Sequence, residues 1–357
     1  MFSTRASGEN RRSRIGLSLI FLGAVHLAAL CSGFLSPYDP EVQHREYPFA
    51  APTRIHILDS RGQLHFRPFV YALAGRPEKP GAYDEDKSRI YPVRFFAAER
   101  TPSNAGARRS RHLFGVEEPA HLFLLGTDAF GRDQFSRMLY GGRISLFSGI
   151  VAAAVSLGLG LLLGSLAGFY GSWLDEVIMR FAELLLALPW LYCLLAIRAF
   201  LPLSVSPERT FLLLILVIGL RGWARPARLI RGVTLSAKER DYVLASRGLG
   251  ASKTHLLVRH ILPETCGVVL TQAALLIPQY ILAEVTLSFL GLGVGEPVPS
   301  WGNMLASLQH YNVMSSYWWM SLPGLILIPT SYAYYVLADA WHGQSLVGGS
   351  TRVRAAD

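Results

Sequence analysis

The sequence predicts an all-α membrane protein of six transmembrane helices, with a small extracytoplasmic insertion of β-rich character after the first helix. Three observations predict it. Only 17% of the 357 residues are charged and 51% are hydrophobic, whereas an ordinary soluble domain carries about 25% charged residues. The mean hydropathy is positive, +0.31. The apolar residues gather into runs near the roughly 20 residues needed to cross about 30 Å of hydrocarbon. Together these disfavour a water-soluble enzyme.

The first run, Ile15 to Phe34, is interrupted only by His26 and is preceded by Arg11, Arg12 and Arg14. A cleaved signal peptide would share that basic start. The apolar run is longer than a signal core, and SPYDPEVQ offers no small-x-small cleavage site, so an uncleaved anchor is expected. Residues 1–14 are then a cytoplasmic N-terminus and 15–34 the first span. Residues 35–143 hold about half of the basic residues and most of the acidic ones, which makes them an aqueous segment. Within it, TRIHILDSRGQLHFRPF reads as a hairpin turning at Asp59 to Gly62, and GRPEKPGAYDEDKS and ERTPSNAGARRSR read as loops.

A five-helix core is expected over 144–341, with a cytoplasmic tail at 342–357. Ile144 to Tyr170 is free of charge, and its overlapping G-x-x-x-G steps at Gly160, Gly164 and Gly168 suit close helix packing. Val177 to Phe200 contains Arg180, Glu183 and Arg198. The first two, a helical turn apart, read as an intrahelical pair. Arg198 reads as snorkelling to an interface, with a place on a pathway as its functional alternative. The fourth span, from Phe211, is the shortest and needs the stems of Arg221, Arg225 and Arg228 to reach an interface. Thr265 to Leu292 carries only Glu284, a lone carboxylate with pathway and structural readings of equal weight. Met314 to Leu337 is uncharged, and Tyr311, Tyr317, Trp318 and Trp319 read as an aromatic belt.

The formal charge of +9 falls mainly at the N-terminus and between Arg221 and Arg259. A cytoplasmic N-terminus puts that basic loop inside and returns the C-terminus to the same side, as the positive-inside rule requires. Basic membrane edges account for the charge without nucleic acid. Cys31, Cys193 and Cys266 have no short mutual spacing and read as buried small hydrophobes. His56 and His65 lack the further ligands that a metal site needs, so no metal is expected.

The most informative stretch is DYVLASRGLGASKTHLLVRHILPE, Asp241 to Glu264. A short helix is expected to Leu249, a break at Gly250, and a second short helix capped by Ser252. Pro263 suits the first turn of the next membrane helix. GLGASKT is not a phosphate loop, because Arg247 and Ser252 stand where glycines are needed. The stretch resembles the EAA motif of ABC importer permeases, in which E-A-A, three residues, Gly, nine residues and I-x-L-P recur. The aligned residues are Leu244, Ala245, Ser246, Gly250, His260, Leu262 and Pro263; Leu244 and His260 depart from the usual Glu and Ile, and Ser246 from the second Ala. DYV, LGAS and RHILP look like the dipeptide and oligopeptide branch. LGTDAFGRDQFSRMLYGGRISL, from Leu125, resembles the lead into the second helix of that branch's C-type subunit, and AEVTLSFLGLGVGEPVPSWGNML, from Ala283, its signature at the end of the fifth. Residues 38–121 lie outside the resemblance.

The resemblance implies a type I importer permease of the bacterial inner membrane, multi-pass, with both termini cytoplasmic. It implies di- or oligopeptide cargo; nickel, oligosaccharides and antimicrobial peptides are alternatives within the branch. The implied partners are a second, B-type permease subunit, two cytoplasmic ATP-binding subunits, an extracytoplasmic solute-binding protein and membrane lipid. ATP and Mg would be bound by the partner subunits, with no cofactor on this chain, which would not itself be an enzyme. The loop 232–263 would be the ATPase-coupling element, through Asp241, Tyr242, Ala245, Ser246, Gly250, Ala251, Ser252, His260, Leu262 and Pro263. The family motif before the second helix maps to Gly126, Thr127, Asp128, Gly131, Arg132, Asp133 and Arg143. The insertion has three readings: contact with the binding protein, which is favoured, a clamp on the sister permease, or decoration. A self-sufficient secondary transporter would need inverted repeats and helices broken near the midplane; neither is visible in the sequence, and the loop would go unexplained.

Overall fold

The computed structural model describes residues 3–76, 81–101, 108–200 and 207–353. Helix α1 (Ser3–Leu30) is followed by a single turn, α2 (Ser32–Leu35). Strands β1 (His56–Leu58), β2 (Leu64–Gly75) and β3 (Tyr83–Pro92) form an antiparallel sheet, and β4 (Arg94–Thr101) pairs with β5 (Arg108–Gly115). Then come α3 (Gln134–Tyr170), α4 (Ser172–Ala187), α5 (Trp190–Phe200), α6 (Pro207–Gly222), α7 (Ala224–Lys238), α8 (Asp241–Gly248) and α9 (Lys253–His255). After a π-helical turn at Leu256–Ile261 the chain continues as α10 (Leu262–Phe289), α11 (Trp301–Ala306), α12 (Tyr311–Ser316) and α13 (Leu322–Val353). Among the described residues, four helical stretches are long and apolar enough to cross a membrane: Arg11–Leu30, Gln134–Tyr170, Lys253–Phe289 and Trp318–Trp341.

The two other expected spans are each built from two shorter helices. Between α4 and α5 the backbone is extended at Leu188 (φ −74°, ψ 128°), the conformation imposed on a residue that precedes proline, here Pro189. Between α6 and α7 the interruption is milder. Trp223 keeps helical angles, but Pro226 has no N–H for the Gly222 carbonyl, which interrupts the ladder at that point.

The chain divides into two compact units. One comprises residues 1–23, 147–284 and 328–357; the other comprises 24–146 and 285–327. In the first, α3 and α7 touch through glycine. An added Cβ would lie 2.8 Å from Pro226 at Gly160, would overlap the Ala227 carbonyl oxygen at Gly164, and would lie 2.8 Å from Thr234 at Gly168. The spacing of four keeps all three on one helix face, and no larger residue leaves room for this backbone approach. Around it Ala182, Trp223, Ala224 and Ala227 form a buried cluster, flanked by Leu159, Leu163, Ile178 and Leu185.

In the second unit the sheets run further than the sequence suggests. The stretch YDEDKS lies in β3, and residues 108–111 open β5; the sequence pattern predicts loops for both. Their charges sit on long hairpins whose backbone pairing outweighs their low β propensity: Asp84 pairs with Ala74, and Arg109 with Arg100. The turn at Asp59 to Gly62 forms as expected, with Gly62 at φ +78° and the Asp59 carboxylate accepting from the Arg61 and Gln63 amides. His56 pairs with Glu85 at 2.9 Å and His65 with Asp59 at 3.2 Å; among the described residues no three side chains form a metal site. Tyr317 stacks on Phe49 at 4.2 Å, and buried Trp319 donates to the Thr127 carbonyl at 3.1 Å. Only Tyr311 and Trp318 of the expected belt are well exposed. Cys31 and Cys266 are exposed rather than buried: Cys31 is in the turn between α1 and α2, and Cys266 is on an uncovered face of α10.

Tyr47, Ala50 and Phe123 form a buried cluster of this unit, and His44 and His121 lie against it with ring centroids 4.6 Å apart. Burial lowers the pKa of both histidines; His44 is partly supported by Glu118, whereas His121 is pushed down to about 4 by burial and the neighbouring His44.

The helix packing and the buried histidines each yield a prediction. Gly164→Leu should cost about 1–3 kcal/mol through overpacking and lower the melting temperature of the purified protein by several degrees. Gly158→Leu, where an added Cβ meets nothing within 4 Å, should leave it nearly unchanged; equal melting of the two variants would contradict the packing role. The second concerns acid. Because His121 titrates near 4 in the fold and near 6.5 when unfolded, the unfolded state binds more protons between those values. Stability is therefore fully present above about 6.5 and falls on acidification, by up to roughly 3 kcal/mol at about 1.4 kcal/mol per unit. Hydrogen exchange across residues 120–127 in the detergent-solubilised chain should show that acid loss in the wild type and less of it in His121→Phe.

Candidate functional site

The chemistry-bearing motifs of the sequence fall in two places, one in each unit. In the first unit the loop 232–263 is built around α8. Asp241 opens this helix, its charge complementing the N-terminal dipole. The helix ends in a Schellman motif: Gly250 N–H donates to the Arg247 carbonyl and Ala251 N–H to that of Ser246, at 3.0 and 3.1 Å. The motif requires a left-handed residue at Gly250, which has φ +86° and open space where a Cβ would stand. Ser252 then caps the next helix, its Oγ accepting from His255 N–H.

From Lys253 the helix runs unbroken to Phe289, so Pro263 does not start a membrane helix but sits ten residues inside one. The π-helical turn explains how. It widens the pairing to i→i+5, seen in the Leu262 N–H donating to the Leu257 carbonyl, and it absorbs the missing donor of Pro263 without a break. The loop is one capped helix joined to a stiff extension of α10.

One side of this element is anchored. Val243, Leu256 and Ile261 are buried. The Tyr242 hydroxyl donates to Glu264 Oε1 at 3.1 Å, and Arg240 lies 3.5 Å from Oε2 of the same carboxylate, which ties the start of α8 to α10. Lys238 Nζ donates to the Phe169 carbonyl at the end of α3, and Arg231 grips Asp175 bidentately. His260 lies near the Tyr242 ring, centroids 5.8 Å apart. The other side is bare: Leu244 and Ala245 are exposed and Leu249 is 90% exposed.

In the second unit, Gly126 to Asp133 form a turn that the glycines make possible. A Cβ on Gly131 would overlap the His44 carbonyl, and one on Gly126 would come within 2.6 Å of the Ala50 carbonyl oxygen. Both have positive φ, +73° at Gly126 and +75° at Gly131. Thr127 is clamped to the neighbouring chain, its hydroxyl donating to the Tyr47 carbonyl and accepting from Ala50 N–H. Asp133 caps α3 by accepting from Ser136 N–H and Oγ. Its burial is nonetheless strong enough to push the carboxyl up to about 7.

Asp128 accepts from Arg132 Nε at 2.7 Å, and Glu296 receives both Arg132 Nη1 at 2.5 Å and Arg137 Nη2 at 3.1 Å. Arg132 and Arg137 are buried while Glu296 is half exposed. The sequence motifs do not single out Glu296. A signal for it exists: the buried turn and first helical turn contain two arginines against Asp128 and a carboxylate already committed to capping, so another acid has to be nearby. Arg143 is exposed and does not join the cluster. Glu284 is buried within α10. Arg180 and Glu183 form the expected intrahelical pair at 3.5 Å. Arg198 falls in α5, its side chain outside the described residues.

A family model described as binding-protein-dependent transport system inner membrane component matches residues 160–342. The chain is 37% identical over 215 residues to the dipeptide transport system permease protein of Bacillus subtilis, covering 60% of this chain and 65% of that protein. It is 38% identical to the oligopeptide transport system permease protein of the same organism, covering 60% and 68%. To the di/tripeptide transport system permease protein of Pseudomonas aeruginosa it is 39% identical, covering 61% and 69%.

The charge cluster yields a prediction. Glu296→Gln removes a shared partner from two buried guanidinium groups. Its expected cost is about 2 kcal/mol, below the roughly 3–5 kcal/mol of a fully buried pair because Glu296 is half exposed to solvent screening. In a double-mutant cycle with Arg137→Gln, thermal denaturation should give a coupling above about 1 kcal/mol; additive effects would show that the pair does not interact.

Proposed function

The chain belongs to the binding-protein-dependent transport system inner membrane components, and we propose on that premise that it is a permease subunit of an ABC importer carrying di- or oligopeptides into the cell. The names of these three relatives, all peptide transport permeases, support the cargo. The observation that carries the mechanism is the loop 232–263: a helix with an exposed apolar tip, Leu249, fixed to a continuous membrane-length helix. A partner ATPase that grips this tip moves α10 as a body. ATP and Mg belong to two such ATPases. A second permease subunit completes the path, and a solute-binding protein delivers the peptide.

In this reading the chain crosses the membrane six times, through α1, α3, α4 with α5, α6 with α7, α10 and α13, with both termini in the cytoplasm. The basic residues from Lys238 to Arg259 then lie inside, with Arg221, Arg225, Arg228 and Arg231 on the inner part of the fourth span, and the β hairpins of 56–115 outside, where they are available to the binding protein. Gly126 to Asp133 and Glu296 act as the structural brace of that outer part.

Gly250→Leu tests the coupling role. The φ of +86° costs a residue with a Cβ about 1–2 kcal/mol, so the Schellman turn should reopen while the membrane helices insert normally. With the full complex in lipid, ATP hydrolysis should no longer respond to peptide-loaded binding protein. Normal substrate-stimulated hydrolysis in this variant would refute the coupling assignment.

A further inference from the structure

Three helix faces of the first unit converge on a cavity of about 610 Å³ lined by α7, α10 and α13. That volume lies within the roughly 300–1,000 Å³ of small-molecule sites. The α10 wall is the stripe Gly267, Thr271 and Leu275 at helical spacing, with Val268 and Gln272 beside it. Arg225 of α7 and Asp339 of α13 bring opposite charges to the same cavity. Among the described residues Arg225 makes no ion pair, and Asp339 meets only Arg11, at 3.9 Å. Both side chains are exposed, so each is open to a ligand in the cavity.

We propose that this cavity is a binding site for the two termini of a free peptide on its way through the permease. The inference rests on the importer reading above. The Arg225 guanidinium offers a planar fork to the C-terminal carboxylate. Asp339 takes the N-terminal ammonium in competition with Arg11, and the half-exposed Tyr335 ring offers a face for the same cation. On the α10 wall of the same cavity, Gln272 supplies an amide donor and acceptor for the peptide backbone. Thr271 Oγ1 already donates to the Gly267 carbonyl at 2.9 Å, which leaves it only as an acceptor. No pocket wall is selective for one side chain: the remaining lining is Leu229, Val268, Leu275 and Ala338. Such a site reads charge separation and backbone rather than sequence, as a carrier of many short peptides needs.

The test is saturable binding of labelled dialanine and of dialanine amide to the purified complex, without binding protein, in the wild type, Arg225→Gln, Arg225→Lys and Asp339→Asn. Arg225→Gln should raise the half-saturating concentration of dialanine about tenfold, leave that of the amide unchanged, and be partly rescued by Arg225→Lys. Asp339→Asn should weaken both ligands, since both keep the ammonium. If Arg225→Gln fails to assemble, Arg225→Lys reads the same difference between ligands. Equal affinities in all variants, or no saturable binding by the wild type, would overturn the site. Uptake of dialanine by the reconstituted wild-type complex with its binding protein decides the importer reading separately: uptake without binding at this cavity condemns the site alone.

Discussion

The approach of α3 to α7 is the contact on which the first unit is built. At Gly164 the backbones are so close that a single methyl group would collide with the Ala227 carbonyl oxygen. Between apolar helices in lipid no hydrophobic drive exists, so association depends on such close packing and on buried polar bonds. The glycine stripe supplies the first, and the chain beyond α7 inherits its position. Arg231 holds Asp175 at the start of α4, and Lys238 binds the carbonyls that end α3, where a cation also complements the helix dipole. The loop after α7 therefore leaves from a fixed point. One turn before Gly160 in the same row of α3, Ser156 bonds to both the Gly219 carbonyl and the Tyr280 hydroxyl at 2.8 Å, which links α6 and α10 to the same helix.

From that fixed point the loop has little freedom, and this bears on how motion would pass through it. A break at Gly250 and a new membrane helix starting at Pro263, as the sequence suggests, would leave the loop with two interruptions. Only the first is a true break in the helix. Across Pro263 the π-helical turn keeps the backbone paired, and the Glu264 carboxylate holds Tyr242 and Arg240 from the start of α8. In the coupling role proposed for it, a force on the exposed tip at Leu249 would meet a stiff body down to α10, and two conformations would then differ in the packing of whole helices against one another rather than in the loop.

Sequence and structure agree where local chemistry dictates the outcome. Gly250 and Ser252 are legible because a Schellman end and a serine cap are short-range devices, each set by two or three neighbours. The glycine stripe is legible as a packing face from its spacing alone, though not its partner, since nothing local names α7. The breaks at Leu188 and near Trp223 are signalled by Pro189 and Pro226, but a hydropathy window averages over them and returns one long span. The hairpin at YDEDKS is hidden from a local reading because strand pairing is non-local: Glu85 is in a strand because Leu73 lies opposite it. Trp319 reads as an interfacial anchor because composition cannot distinguish a tryptophan facing lipid from one donating to a buried carbonyl.

The charge cluster of the second unit shows the same limit from the energetic side. Arg132 and Arg137 are almost fully buried, and taking two guanidinium groups out of water costs several kcal/mol each before any pairing is counted. Asp128 and Glu296 offset that cost without making the cluster a large net source of stability; a well-packed apolar core of the same volume would serve as well. What the ions add is register. Arg137 reaches the Pro40 and Pro297 carbonyls as well as Glu296, three acceptors from two segments far apart in sequence, and a planar donor fork satisfies all of them in only one arrangement. The turn at Gly126 to Asp133, the segment after α2 and the strand-free stretch before α11 are thereby fixed to one another by direction rather than by apolar area. That explains how this part of the unit keeps its shape with so little regular secondary structure: its irregular backbone is held by two arginines.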